Sequence, residues 1–286
     1  MSRYGLIRLA LRALAASRAQ SWLPAAPDAA GTIVTLHHVQ PERRASFEPN
    51  ALLSVTPDFL DRFIVHFRAL GWRFVSVDEL LLGGDRAGDP RRIALTLDDG
   101  LRDNAEHAWP VFKRHSVPFT IYTCPGFCDR TAELWWEALE RIIAGTDRLS
   151  LEGEGPVAEL ATRSPAEKHR AFGLWAKWLT SDADEVRQRV AIRKLAAKYG
   201  LDLCALAAEL VMDWDEVRAI AADPLCTIGA HTMTHSALAR LPADQALREM
   251  AESADRIERE IGRRPTTIAF PYGYPAAAGA REAQLA

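Results

Sequence analysis

The sequence predicts an α/β protein built on a parallel sheet, open or closed into a barrel. Short, continuous runs of apolar and β-branched residues recur along the chain, as strands buried on both faces require. Amphipathic segments of helical period lie between them, which is what parallel strands need as crossovers. Length bounds the answer: 286 residues can build one large core or two modest ones, and barrels of this size are usually single domains.

The chain opens with MSRYGLIRLALRALAASRAQ, which sets Arg3, Arg8, Arg12 and Arg18 among Leu6, Ile7, Leu11 and Leu14. Arg8 and Arg12 break the apolar run that a secretion signal needs, so no cleavable signal peptide is visible. Residues 1–30 read instead as a basic amphipathic segment. Packing on the protein's own body is the simpler account, and weak contact of residues 1–20 with an anionic membrane surface is the alternative. A cytoplasmic or membrane-peripheral location is the expectation, because no stretch is long enough to span a bilayer.

From Gly31 to Leu36 a β-branched run predicts the first buried strand of the body, residues 31–286. A helix follows, capped by Thr56, started by Pro57 and stopped by Gly71, with Phe59, Phe63, Phe67 and Leu70 on one face. Arg73–Ser76 is the next strand, and Ser76 with Glu79 resembles a capping box opening a short helix. Ile93–Leu97 is again continuous and apolar, with a helical segment after Gly100 to about His115. Pro118–Thr123, Cys226–Gly229 and Thr267–Phe270 complete the strands. Leu247, Met250, Ala254, Ile257 and Ile261 mark a helix ended by Gly262. The stretch from about 129 to 222 breaks the rhythm. It reads as a helical insertion with no clear strand, whose Trp135, Trp136, Trp175, Trp178 and Trp214 suit core packing better than stacking on sugars.

Net charge of −3 leaves no basic surplus for nucleic acid. Cys124, Cys128, Cys204 and Cys226 show neither redox nor zinc-knuckle spacing and read as free thiols.

Three segments just after strands carry chemistry. In Thr96-Leu-Asp98-Asp99-Gly100, two adjacent acids sit at the carboxyl end of a buried strand, where α/β proteins place their sites. Neighbours in extended chain point opposite ways, so different jobs are expected: one acid on a metal, one handling a proton. In His231-Thr-Met-Thr-His235 the histidines stand at i and i+4, which on a helix would share a face and could bind one divalent cation. Phe270-Pro271-Tyr272-Gly273 forces a bend that can turn a backbone N–H towards an anion. Each segment alone is as readily a turn or a surface pair. Together, one carboxylate and two histidines leave open positions for water and substrate, and a second acid can act as base. That set suits hydrolysis of an amide or ester. The His37-His38 doublet ends the first strand at the same edge.

In this order the segments resemble the polysaccharide deacetylase family, carbohydrate esterase family 4, which includes chitooligosaccharide deacetylases. The resemblance runs from about Thr32 to the end, apart from the insertion at about 129–222. It implies a distorted (β/α) barrel in which Asp98 is the general base and Asp99, His231 and His235 hold the metal. It implies the Tyr272 backbone N–H as oxyanion donor, with Pro271, Gly273 and His38 against substrate. The cofactor implied is a divalent metal, zinc first, with Co, Mn, Ni or Fe as substitutes. The substrate implied is an acetylated glycan, a polysaccharide or chitooligosaccharide losing N-acetyl or O-acetyl groups from its amino sugars.

Two departures qualify the match. Ala269 stands where the family usually carries an Arg. Only 13 residues follow Gly273, without the acidic-and-Trp motif or the Leu-x-x-His motif that supplies the general acid. A barrel truncated at its carboxyl end and lacking the usual acid is therefore expected. The alternatives are a relative that binds sugar without turnover, an amidase for a small amide, and a non-haem iron site, against which Asp98 and the Pro-Tyr-Gly turn argue.

Overall fold

A computed structural model describes residues 31–43, 45–82 and 91–286. The basic segment expected over residues 1–30, and any membrane contact through residues 1–20, lie outside these. Among the described residues the strands are β1 (Thr32–Leu36), β2 (His38–Val39), β3 (Ser54–Val55), β4 (Arg73–Phe74), β5 (Arg92–Leu97), β6 (Phe119–Thr123), β7 (Arg148–Ser150), β8 (Glu159–Ala161) and β9 (Cys226–Ala230). The main sheet runs β1-β5-β6-β9, with β4 pairing the start of β5, and every pair in it is parallel. The parallel α/β architecture is as expected. The sheet is open among the described residues: beyond β9 the predicted strand at Thr267–Phe270 contributes only a bridge between Ala230 and Ile268. Two hydrogen bonds hold that bridge, Ala230 N–H to the Thr267 carbonyl and Ala269 N–H to the Ala230 carbonyl, both 3.0 Å.

All six residues of β5 are buried, as its unbroken apolar run requires of a central strand. β1 is more exposed, because it occupies an edge. On the core side Phe112 stacks on Phe119 with ring centroids 4.5 Å apart, and Phe127 and Trp175 are fully buried. Burial of each such side chain contributes about 1.5–3 kcal/mol.

The helices obey their caps more closely than their apparent stripes. Thr56 caps the helix Pro57–Ala69 through a 3.1 Å bond from Phe59 N–H. Its buried residues are Leu60 and Ile64, however, while Phe59 is exposed, so the phenylalanine row lies at the margin of the contact. Ser76 caps Val77–Leu82 at 3.0 Å. The helix Ala243–Ile261 buries Ala246, Met250, Ser253 and Ile257 and leaves Leu247 exposed. Met250 and Ile257 are buried as expected, Ala254 and Ile261 are half-buried, and Ala246 and Ser253 join the buried face in place of Leu247. No described helix is long and apolar enough to cross a membrane.

The stretch 129–222 is mostly helical, as expected. It also contains an antiparallel hairpin, β7 with β8, which had no sequence signal because both strands are only three residues long. Its helices Trp135–Ala144 and Glu185–Tyr199 pack together, and Leu139, Ile142, Ile143, Ala191, Ile192 and Leu195 are buried in one common core. The five tryptophans of this stretch are buried, in keeping with a packing role.

Candidate active site

Strand register brings the chemistry to one edge. Leu36 lies opposite Leu97, Leu97 opposite Ile121 and Thr123 opposite Ala230, so β1 and β5 finish two residues before β6 and β9 at the same end of the sheet. The residues that follow are therefore neighbours: His37 after β1, Asp98 and Asp99 after β5, His231 after β9. Two bonds carry the register past the strand ends, Asp98 N–H to the Leu36 carbonyl (3.0 Å) and His231 N–H to the Thr123 carbonyl (3.1 Å).

Extended-chain alternation does not hold at the two acids. Asp99 has φ 73°, in the left-handed region, so the chain turns as it leaves β5. Both carboxylates consequently face the site. Nor do the histidines share a helix face, for His231–His235 is a loop. They converge because Thr232 and His235 adopt φ 61° and 59°. Tyr272, at φ 70°, is a fourth left-handed residue here. Such conformations cost L-residues about 1–2 kcal/mol each, and their concentration at one place is a mark of a functional site.

His231 Nδ1 lies 2.9 Å from the Ala269 carbonyl. A carbonyl only accepts, so Nδ1 carries the hydrogen and the neutral ring presents Nε2 as a lone pair. The backbone of Ala269 thus orients a ligand, although its side chain departs from the expected Arg. His231 Nε2 is 3.4 Å from Asp99 Oδ1, and His235 Nε2 is 3.3 Å from the same oxygen. All three groups are buried, and among the described residues that oxygen has no hydrogen-bond partner. Their ligating atoms lie within 4.8 Å of one another. A tetrahedral centre with bonds of about 2.1 Å has edges of roughly 3.4 Å, so the spacing and the N/O donor set fit zinc or a similar divalent cation.

Electrostatics support different roles for the two acids. Burial drives the Asp99 carboxyl up, but His231 and His235 overcome it and hold it well below the ordinary range. Asp98 is raised, by burial first and by Asp99 in addition, against the pull of His231 and His37. Burial lowers His235, which favours its neutral, ligating form. Around His235 stand Phe127, stacked at 5.5 Å, with Trp136 and Tyr272 each at 4.9 Å. The Tyr272 hydroxyl accepts a 3.0 Å bond from Trp135 Nε1. Pro271 is buried and Gly273 exposed, at the bend that carries Tyr272.

His38 is placed apart from this cluster. Its Nδ1 is 2.6 Å from Asp103 Oδ2 and its Nε2 is 3.7 Å from Glu137 Oε1. It lines a cavity of about 560 Å³ with Asn50, Arg102, Asp103 and Glu137, a cavity that neither the metal-ligand candidates nor Pro271 and Gly273 line. His37 is the residue that sequence reasoning underrated. It directly follows Leu36, whose carbonyl takes Asp98 N–H, and its own carbonyl is anchored by Asn104 Nδ2 at 2.8 Å. The doublet at the end of the first strand was the available signal.

Residues 180–285 match the model of the polysaccharide deacetylase family, a span that holds His231, His235 and Pro271–Gly273 but not Asp98 and Asp99. No curated protein matches the chain. Among solved structures, it is similar to the deacetylase domain of BpsB from Bordetella bronchiseptica, with TM-score 0.53 and 18% identity over 92% of this chain and 86% of that one. It is similar to IcaB from Ammonifex degensii, with TM-score 0.52 and 16% identity over 89% and 78% of the two chains. The deacetylase PplD of Streptococcus pyogenes, solved with acetate, gives TM-score 0.52 and 14% identity over 88% and 77%. At these identities the structural likeness speaks for the fold. The family match thus covers residues 180–285, and the structural likeness extends the fold of these deacetylases over most of the chain.

Proposed function

We propose that the chain is a metal-dependent hydrolase that removes N-acetyl groups from the amino sugars of a polysaccharide or oligosaccharide. The observation that carries this is the buried Asp99 oxygen facing two imidazole nitrogens at 3.3 and 3.4 Å, with a second acid, Asp98, beside it. Asp99, His231 and His235 would hold the cation. Bound there, it supplies Lewis-acid polarisation of the acetyl carbonyl and a lower pKa for the attacking water.

The remaining steps belong to the protein. Asp98 accepts the proton of the attacking water at its buried Oδ1, which has no hydrogen-bond partner among the described residues. Its raised carboxyl suits that work, because a base is most effective when its pKa approaches the working pH. The Tyr272 backbone N–H, turned by the left-handed bend, donates to the oxyanion as the carbonyl carbon becomes tetrahedral. His37 donates a proton to the leaving nitrogen, so acetate and a free amino sugar result. Its place directly after β1, where the Leu36 carbonyl takes Asp98 N–H, supports that role. Pro271 and Gly273 shape the wall against the acetyl group, and His38 lines the space for an adjoining sugar.

The test is acetate release from N-acetylglucosamine oligomers and polymers by the zinc-loaded chain. Asp98→Asn is expected to lower turnover about 10²–10⁴-fold while zinc still binds. Failure of the loaded protein to release acetate from any acetylated glycan would refute the proposal.

A further inference from the structure

The stretch between β6 and β9 reaches back to the ligand loop through Arg189, on the helix Glu185–Tyr199. Arg189 Nη2 lies 2.9 Å from each of the Thr234 carbonyl, Thr234 Oγ1 and Ser236 Oγ. Glu249, on the helix Ala243–Ile261, holds the same residue from another side. It accepts Thr234 N–H at 2.8 Å and Thr234 Oγ1–H at 2.6 Å. The Glu249 carbonyl also takes Met233 N–H at 2.9 Å, and the Met233 carbonyl takes Gly126 N–H at 2.8 Å. Every tie falls between His231 and Ser236, on a loop whose Thr232 and His235 are left-handed. L-residues leave that conformation unless tertiary contacts impose it, and hydrogen bonds to charged groups are the strong ones. On the same helix, the neighbouring Gln188 side chain is a polar neighbour of Tyr272. The helix therefore reaches both the ligand loop and the bend.

We propose that Arg189 is a positioning residue for the metal ligands: it clamps Thr234 against Glu249 so that His235 Nε2 meets Asp99. This rests on the metal-site reading above. It gives the helical insertion a task in the site, although none of the ligands lies within it.

The experiment is zinc affinity of the full chain by chelator competition, with the visible spectrum of the cobalt form as a second readout. Arg189→Ala is expected to weaken zinc about 10–100-fold and to alter the cobalt spectrum. Arg189→Lys is expected to recover part of this, because a single nitrogen makes all three loop contacts. Arg193→Ala is the control: Arg193 pairs with Glu133, which Arg189 also approaches at 3.6 Å, but none of its described contacts reaches the loop. It is expected to keep the parent affinity. Arg189→Ala binding within threefold of the parent, or Arg193→Ala weakening zinc equally, overturns the proposal. Thr234→Val leaves the helix intact, and unchanged zinc affinity in that variant overturns it even where Arg189→Ala does not fold. A parent chain that binds no zinc refutes the metal site itself, a distinct outcome.

Discussion

Raising the pH from 6.5 to about 9 is expected to destabilise the folded chain through one buried side chain, His38. Burial by itself pushes this imidazole down, but Asp103 at 2.6 Å and Glu137 at 3.7 Å overcome burial and lift it from 6.5 to about 10. The folded pKa lies above the unfolded one. The stabilisation is therefore fully present below pH 6.5 and is lost as the pH climbs towards 10. Each pH unit crossed in that window removes about 1.4 kcal/mol, so a rise of about 2.5 units removes roughly 3 kcal/mol. The His38 side chain is only 7% exposed, so solvent screens little of this. For a chain of this size the loss corresponds to a fall in melting temperature of about 6–12 °C. The assay is denaturant unfolding at several pH values for the parent and for His38→Gln. The difference between the two isolates His38 from all other titrations, and it is expected to shrink steadily over the window. A difference that stays constant from pH 6.5 to 9, or an NMR titration of His38 near 6.5, would refute the reasoning.

Two further outcomes follow from the geometry. A Cβ on Gly229 would lie 2.4 Å from the Tyr122 ring, so Gly229→Ala is expected to cost about 1–3 kcal/mol by overpacking; the double variant with Tyr122→Leu, measured by urea unfolding, is expected to recover much of that loss. Zinc at about 100 times its Kd is expected to stabilise the fold by about 2.7 kcal/mol, and calorimetry is expected to find that increment abolished in Asp99→Asn.

The order of strands and helices was legible because parallel sheets bury both faces, and burial writes itself into continuous apolar runs such as Ile93–Leu97. Helix starts were legible for a local reason, since Thr56 and Ser76 bond N–H groups three residues away. The site was legible as three short segments at strand ends, and the structure brings Asp98, Asp99, His231, His235 and the Tyr272 bend together at one sheet edge. The conformations that make them converge were not legible. Asp99, Thr232, His235 and Tyr272 are all residues whose Cβ disfavours the left-handed region, so local preference pointed the wrong way, towards an extended pair of acids and a helical pair of histidines.

The ligand loop that carries Thr232 and His235 is held from far along the chain, by Arg189 and Glu249 on Thr234 and by the Ala269 carbonyl on His231. The same holds for the histidine doublet. His37 looked like half of an unassigned doublet until strand register set it beside Asp98, 61 residues later, and sent His38 to Asp103 instead. By itself, then, the sequence determined the parallel α/β framework and the types of residue gathered at one edge, because patterning and capping act over a few residues. Only the tertiary structure decided which atoms face one another, because contacts between distant segments set the strained backbone of the ligand loop.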